Sequence, residues 1–329
     1  MAGTTVQEVT HWRRCAPAIV LFAAVSGCGG TGSSPDAAPG SSSVTSSPAS
    51  PTHQTRTPTT SPPTANAPSA HGASKLLVFV VENHSLEEMR AQMPWTYRLG
   101  QEYGYATDFS ALTHPSLPNY LAIAGGSTFG VQDDHDPSSH PISAPSVFGD
   151  ALDHGRTAGV YADAMPANCS LTNTSQYAVR HNPWTYFTTE RQQCGELDVP
   201  IARFATDVRA GKLPDAGMVV PDLCHDAHNC PLATADAWMR QEIGLAMSGP
   251  DFRAGRLVVV VTADEDDGSQ DNTVLTIVVH PSVRGVIASS PLSHLSLSRL
   301  YSEVLGLPPL REAASAPSMT DAFGLTLAR

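Results

Sequence analysis

The chain reads as an α/β protein, a three-layer α/β/α sandwich with a mostly parallel central sheet. Three observations predict this. Apolar, β-branched runs recur almost uninterrupted by polar residues, the pattern of strands buried on both faces. Amphipathic helical stretches alternate with those runs. Acidic and histidine-bearing clusters follow several runs directly, and sites in such sheets collect at the carboxyl ends of strands.

In chain order, the first run is KLLVFVV at 75–81. SLEEMRAQM follows, with Ser85 and Glu88 three residues apart, and this spacing predicts a helix opened by a capping box. APSVFGDALDHG predicts a helix closed near Gly155. Further strand runs are TAGVYA at 157–162, AGMVV at 216–220, RLVVVVT at 256–262 and VLTIVVH at 274–280. IARFATDVRAG, ATADAWMRQEIGLAM and LSLSRLYSEVLG are amphipathic helices between or after them. No internal repeat is present, and 74–329 reads as one domain.

Composition narrows the classes. Of 329 residues, 41% are hydrophobic and 15% charged, and the formal net charge is −12. That balance excludes the basic footprint a nucleic-acid partner requires. Arg13 and Arg14 precede CAPAIVLFAAVSGCGG, a charged and then apolar leader too short to cross a membrane. Its exit, Val25-Ser26-Gly27-Cys28, resembles the bacterial lipobox, in which the cysteine is lipidated and becomes the first mature residue. An ordinary secretory peptide cut nearby is the alternative. Residues 29–73 are Ser, Thr, Pro, Gly and Ala with almost no large apolar side chain, which predicts a disordered tether spanning roughly 35–40 Å. The expected organisation is a lipoprotein signal at 1–28, a tether at 29–73 and a folded domain at 74–329. The expected location is the cell envelope, outside the cytoplasmic membrane, with membrane contact only through the anchor; cleavage without lipidation would release the protein.

Beyond Cys15 and Cys28, four cysteines remain: Cys169, Cys194, Cys224 and Cys230. An even number in an exported chain favours disulfides. Local pairing predicts Cys169–Cys194 and Cys224–Cys230. Sequence permits two other pairings, and a four-cysteine zinc site is the alternative, although no CxxC is present.

The polar clusters carry the chemistry. Glu82-Asn83-His84 follows the first run, 221–228 (PDLCHDAH) follows the run at 216–220, and Asp264-Glu265 follows the run at 256–262. Carboxylates brought together share a proton or hold a cation. Glu82, Asp264 and Glu265 therefore predict a divalent metal: Mg²⁺, Ca²⁺ or Mn²⁺ by their oxygens, with Zn²⁺ or Fe allowed by a nearby histidine. Asp266, Asp267 and Asp271 read as solvated loop carboxylates. Ser116, ahead of an apolar helical stretch, is either an N-cap or a nucleophile facing an anion at a helix N-terminus.

VVENHS, THPSLPNYLAIAGGSTFG, YAVRHNPWTYF, PDLCHDAHNC, ATADAWM, TADEDDG and SHLSLSRLYSEVLGLP occur in that order. Together they resemble the bacterial phosphoesterase family of acid phosphatases and phospholipases C, within the alkaline-phosphatase-like superfamily. The likeness covers nearly all of 75–324 and leans to the secreted acid phosphatases. It implies metal ligation by Glu82, Asn83, Ser116, Asp264 and Glu265. It implies Ser116 as nucleophile and Asn119 as holder of a phosphate oxygen. His181 and His228 would move protons. Asp226 and His294 would lie against the substrate or, with His228, hold a second metal; a single metal is the preferred reading. His114, His135 and His140 carry no assignment. Two departures stand out: Ala263 replaces the tryptophan of the family's T-W-D-E motif, and His225 and Asn229 alter its N-D-M-H-D motif.

The resemblance implies an exported, metal-dependent acid phosphatase that hydrolyses phosphate monoesters through a phosphoserine. Its substrate would be a phosphorylated small molecule or a lipid headgroup. A phospholipase C-type diesterase is the nearest rival. A catalytically inactive surface-binding lipoprotein is another, although Ser116 and the paired acids are all present. A sulfatase would need a C/S-x-P-x-R context, and Ser116 is followed by LPNY.

Overall fold

The computed structural model describes residues 72–328. The expected signal, Cys28 and all but the last two residues of the expected tether lie outside the described residues. Ala73, near the end of the segment read as tether, pairs with Leu327.

Ten strands are present among the described residues: β1 (Lys75–Val81), β2 (Gly104–Ala106), β3 (Phe109–Ser110), β4 (Ala158–Ala162), β5 (Asp198–Pro200), β6 (Ala216–Val220), β7 (Leu257–Ala263), β8 (Thr276–Val279), β9 (Val286–Ala288) and β10 (Leu292–Ser293). Eight of them form one sheet in the order β5-β4-β6-β1-β7-β8-β2-β9. Only β8 runs against the others. The two longest strands, β1 and β7, lie side by side at the centre with almost every residue buried. Their parallel register runs from Lys75↔Leu257 to Val81↔Ala263. Glu82 and Asp264 therefore leave neighbouring strands at the same level.

Helices cover both faces. On one, α1 (Leu86–Gln92), α2 (Pro94–Glu102), α6 (Phe204–Ala210) and α8 (Pro250–Arg253) gather around α7 (Leu232–Ser248). Phe79 of β1 meets this layer edge-on through Phe204 and Trp238. On the other, α3 (Ser116–Gly125), α4 (Val147–Asp153) and α10 (Met319–Phe323) pack around α9 (His294–Leu305). Tyr301 of α9 donates its hydroxyl to the Gly217 carbonyl of β6 at 2.7 Å. The remaining helix, α5 (Arg191–Leu197), lies beside β4 and β5.

The expected three-layer sandwich is therefore the observed one. Two local expectations differ. The capping box at Ser85 does not form: Ser85 Oγ is buried without a partner, and Glu88 instead contacts His84 Nδ1 at 2.8 Å. A histidine one residue before the cap draws the carboxylate away from the backbone. The short strands β2, β3, β5, β9 and β10 were not legible, because two or three residues carry no periodicity. The cysteines form the two local pairs, Cys169–Cys194 and Cys224–Cys230, which leaves no thiolates for zinc.

Candidate active site

Ser116 is the first residue of α3, after Pro115 in the N-cap position. Its side chain does not cap the helix. Instead Ser116 Oγ donates to Glu82 Oε1 at 2.8 Å, and the residue is almost wholly buried. The hydroxyl is thus held by a carboxylate from another element, the arrangement expected of a reacting group and not of a cap. At the far end, Gly126 closes α3 in the left-handed conformation (φ 66°), and a Cβ there would clash with the Leu310 carbonyl oxygen.

Glu82, at the end of β1, is fully buried. Burial alone would raise its pKa, but His181 and the Ser116 hydroxyl outweigh it and hold the group down at about 2. His181 lies between two carboxylates, with Nε2 2.9 Å from Glu82 Oε1 and Nδ1 3.1 Å from Asp226 Oδ2. Its ring stacks on Tyr120 with centroids 5.1 Å apart. Burial pushes its pKa down, yet Glu82 and Asp226 win and raise it to about 9, so the ring is an imidazolium at neutral pH.

Asp264 leaves β7 beside Glu82. Its Oδ1 accepts the Asn83 amide at 2.9 Å, and Asn83 takes φ 57°, a conformation asparagine tolerates well. Oδ2 is buried with no partner. Burial, then Glu82 and Glu265, push the Asp264 carboxyl far above the usual range. Burial also raises Glu265 to about 7 against the opposing pull of His114, whose Nδ1 lies 3.2 Å from Glu265 Oε1. An orphaned carboxylate oxygen among acids that resist ionising is what a divalent cation would satisfy, so the oxygen-rich set fits the metal that the motifs imply.

Asn119 is buried and clamps the segment before Ser116. Its Oδ1 accepts the Leu112 amide at 2.9 Å and the Thr113 amide at 3.3 Å. Its Nδ2 donates to the Thr113 carbonyl at 2.7 Å and to Glu265 Oε2 at 3.3 Å. Asp226 accepts the His228 amide at 2.8 Å as well as facing His181. His228 is exposed, with Nε2 3.1 Å from Arg180 Nη2 and its ring centroid 6.3 Å from that of His181. His294 is fully buried; Nε2 meets the Asp264 carbonyl at 2.6 Å and the ring sits edge-on to Phe109. Burial lowers its pKa to about 4, so it is a neutral ring bracing the backbone of the acid pair.

Asp266 departs from the solvated carboxylate expected of it. It is buried and accepts the amides of Gly268, Gln270 and Asn272, shaping the loop after β7. Asp267 and Asp271 are exposed. Ala263 is buried within β7, and His225 stacks on Trp238 with Nδ1 2.8 Å from Asp163 Oδ2.

Arg180 is the group that sequence reasoning passed over. Its Nη2 is 3.8 Å from Glu82 Oε1, and its Nε is 3.6 Å from Asp134 Oδ2. It is the only basic side chain other than His181 in YAVRHNPWTYF, and that isolation was the available signal.

The phosphoesterase family profile matches residues 75–303. A phosphatidylinositol-3-phosphatase of Mycobacterium tuberculosis is 29% identical over 252 residues, 76% of this chain and 82% of that protein. A phosphate-repressible acid phosphatase of Penicillium chrysogenum is 27% identical over 227 residues, 65% of this chain and 54% of its own length. An acid phosphatase of Aspergillus fumigatus is 26% identical, over 70% of this chain and 54% of that protein. The chain thus spans about half the length of these fungal relatives. Among solved structures, an alkaline phosphatase superfamily protein of Vibrio parahaemolyticus aligns with TM-score 0.51 at 12% identity, covering 77% of this chain and 72% of that one. The lipoteichoic acid synthase of Listeria monocytogenes aligns with TM-score 0.51 at 10% identity, covering 76% and 78%. At such identities these structures show a shared fold alone.

Proposed function

The chain belongs to the phosphoesterase family, and on that footing we propose that it is an exported, metal-dependent acid phosphatase acting on phosphate monoesters. The observation that carries the reading is the buried Ser116 hydroxyl, at the start of α3, hydrogen-bonded to Glu82 beside the orphaned Asp264 oxygen. Glu82, Asn83, Ser116, Asp264 and Glu265 would hold one divalent cation. When bound, that ion lowers the hydroxyl pKa and neutralises phosphate oxygens.

Ser116 Oγ, its proton released to solvent, attacks phosphorus, and the bond from phosphorus to the ester oxygen breaks. Arg180 neutralises charge on the phosphoryl oxygens, and Asn119 Nδ2 donates to one of them in place of its bond to Glu265 Oε2. The departing alkoxide takes its proton from His181 or His228. Water then attacks the phosphoserine, releasing inorganic phosphate and restoring the hydroxyl. Asp226 keeps the His181 ring oriented through Nδ1.

Relatives named as acid phosphatases and a phosphatidylinositol phosphatase support removal of a phosphate group. The substrate is a phosphorylated small molecule or an exposed lipid headgroup. Among the described residues the exposed large apolar side chains are only Leu171 and Ile287, which is too little surface to engage lipid chains as a phospholipase C would. Two disulfides suit an oxidising compartment and so support export. The stretch ending at Cys28 resembles a lipobox, which supports anchoring outside the cytoplasmic membrane.

Turnover of p-nitrophenyl phosphate against its bis-ester tests the reading. Ser116→Ala should lower monoester kcat by roughly 10³-fold or more, and chelation should do the same reversibly. Undiminished turnover by Ser116→Ala removes Ser116 as nucleophile, and faster turnover of the bis-ester overturns the monoesterase.

A further inference from the structure

Between α3 and α4 the loop at 131–140 gathers groups that the phosphatase chemistry does not use. His140 Nε2 lies 2.5 Å from Asp133 Oδ1, and His135 Nδ1 lies 2.9 Å from the same oxygen. Their rings face each other at 6.1 Å, inclined by 29°. The three donor atoms lie within 4.8 Å of one another. One carboxylate oxygen thus draws two imidazole nitrogens, and a cation at the point of convergence would bind all three. Two imidazoles and a carboxylate form the donor set of Zn²⁺ and similar first-row divalent ions, unlike the oxygen-rich set around Glu82 and Asp264. The His135 side chain is 71% exposed, which leaves an entry path and room for water as a further ligand.

A second observation links this loop to α3. Asp134 lies between two of the three donors in sequence. Its Oδ1 accepts the Leu117 amide at 2.9 Å, one of the free N–H groups at the start of the nucleophile's helix. Its Oδ2 lies 3.6 Å from Arg180 Nε, an atom that is buried without a hydrogen-bond partner. An ion gripping Asp133 and His135 therefore fixes the residue between them against both groups.

We propose that Asp133, His135 and His140 form a second cation site, taking Zn²⁺ or a similar imidazole-seeking divalent ion, which positions Asp134 against the N-terminus of α3. The site goes beyond the phosphatase reading and does not depend on it. The test titrates Zn²⁺ into the full chain carrying Asp264→Asn, which disables the carboxylate centre. One equivalent of zinc should remain, and Co²⁺ in its place should show the visible absorption of a low-coordinate nitrogen-bound ion. Adding His135→Ala or, separately, His140→Ala should remove that equivalent; the exposed His135 makes the first variant safe for folding. No zinc bound by Asp264→Asn, or zinc retained by both histidine variants, overturns the site. In the otherwise native chain, Zn²⁺ should slow hydrogen exchange at the Leu117 amide about tenfold, and His135→Ala should abolish that slowing. Binding without any change at Leu117 would overturn the positioning of Asp134. Loss of phosphatase activity on its own bears on neither result.

Discussion

Arg180 sits where three charged or titrating groups meet: Glu82, Asp134 and His228. A guanidinium held there can offer two parallel donors to a phosphoryl group, and an ammonium cannot. Arg180→Lys should therefore lower kcat/KM for p-nitrophenyl phosphate by roughly 10- to 100-fold, in keeping with the 1.5–3 kcal/mol of a charged hydrogen bond. Competitive inhibition by inorganic phosphate should weaken in parallel; an unchanged inhibition constant would remove Arg180 from the phosphate site. A different residue governs stability. Asp198, fully buried in β5, has one oxygen on Asn182 Nδ2 at 2.8 Å and the other unpartnered. Burial raises its pKa to about 8, against the opposing effect of the Asn182 bond. Folded, it keeps its proton through neutrality; unfolded, it ionises near 3.8. Its contribution is fully present below about pH 4 and is lost as pH rises toward 8. Asp198→Asn should flatten that slope, so that Tm falls less between pH 5 and pH 8 than in the native chain. Equal falls in the two proteins would show that Asp198 is ionised in the fold.

At the scale of elements, the two disulfides do different work. Cys169–Cys194 spans 25 residues and ties the loop after β4 to α5. Cys224–Cys230 spans 6 and closes the turn that carries Asp226 and His228. Chain entropy assigns about 3.5 kcal/mol to the longer loop and about 2 kcal/mol to the shorter. Replacing the longer pair by alanine should thus lower Tm more, while replacing the shorter should lower kcat/KM more, because Asp226 orients His181. Full activity without Cys224–Cys230 would mean that the turn holds its own shape. Long elements were legible beforehand for a local reason: β1, β4, β6 and β7 are continuous apolar runs, and α7 and α9 are amphipathic over three turns or more. Ser85 and Glu88 matched a capping signature, but a contact from His84 overrode it. Asp266 carried the same local signal as its exposed neighbour Asp267; only the folding of 268–272 over its carboxylate separates them.

For the molecule as a whole, the metal centre proposed at the ends of β1 and β7 predicts a dependence on cations. A divalent ion bound only by the folded state stabilises it by about 2.7 kcal/mol at one hundred times its Kd. For a domain of this size that is a rise in Tm of roughly 5–10 °C. Mg²⁺, Ca²⁺ and Mn²⁺ should be compared, with Asp264→Asn as the control that loses the shift. No shift with any of the three would argue against an oxygen-rich metal centre. What the sequence determined by itself was local: strands from uninterrupted apolar runs, acids at their ends, a serine ahead of a helix, cysteines close enough to pair. Tertiary structure decided which of these meet. Val81 and Ala263 are 182 positions apart, yet the register of β1 on β7 sets Glu82 beside Asp264. It also gave the Ser116 hydroxyl to Glu82 instead of its own helix, and brought Arg180 between Glu82 and Asp134. Periodicity and turn chemistry act over a few residues and can be read along the chain. Burial and the choice of a polar partner depend on neighbours that only the packed sheet brings into contact.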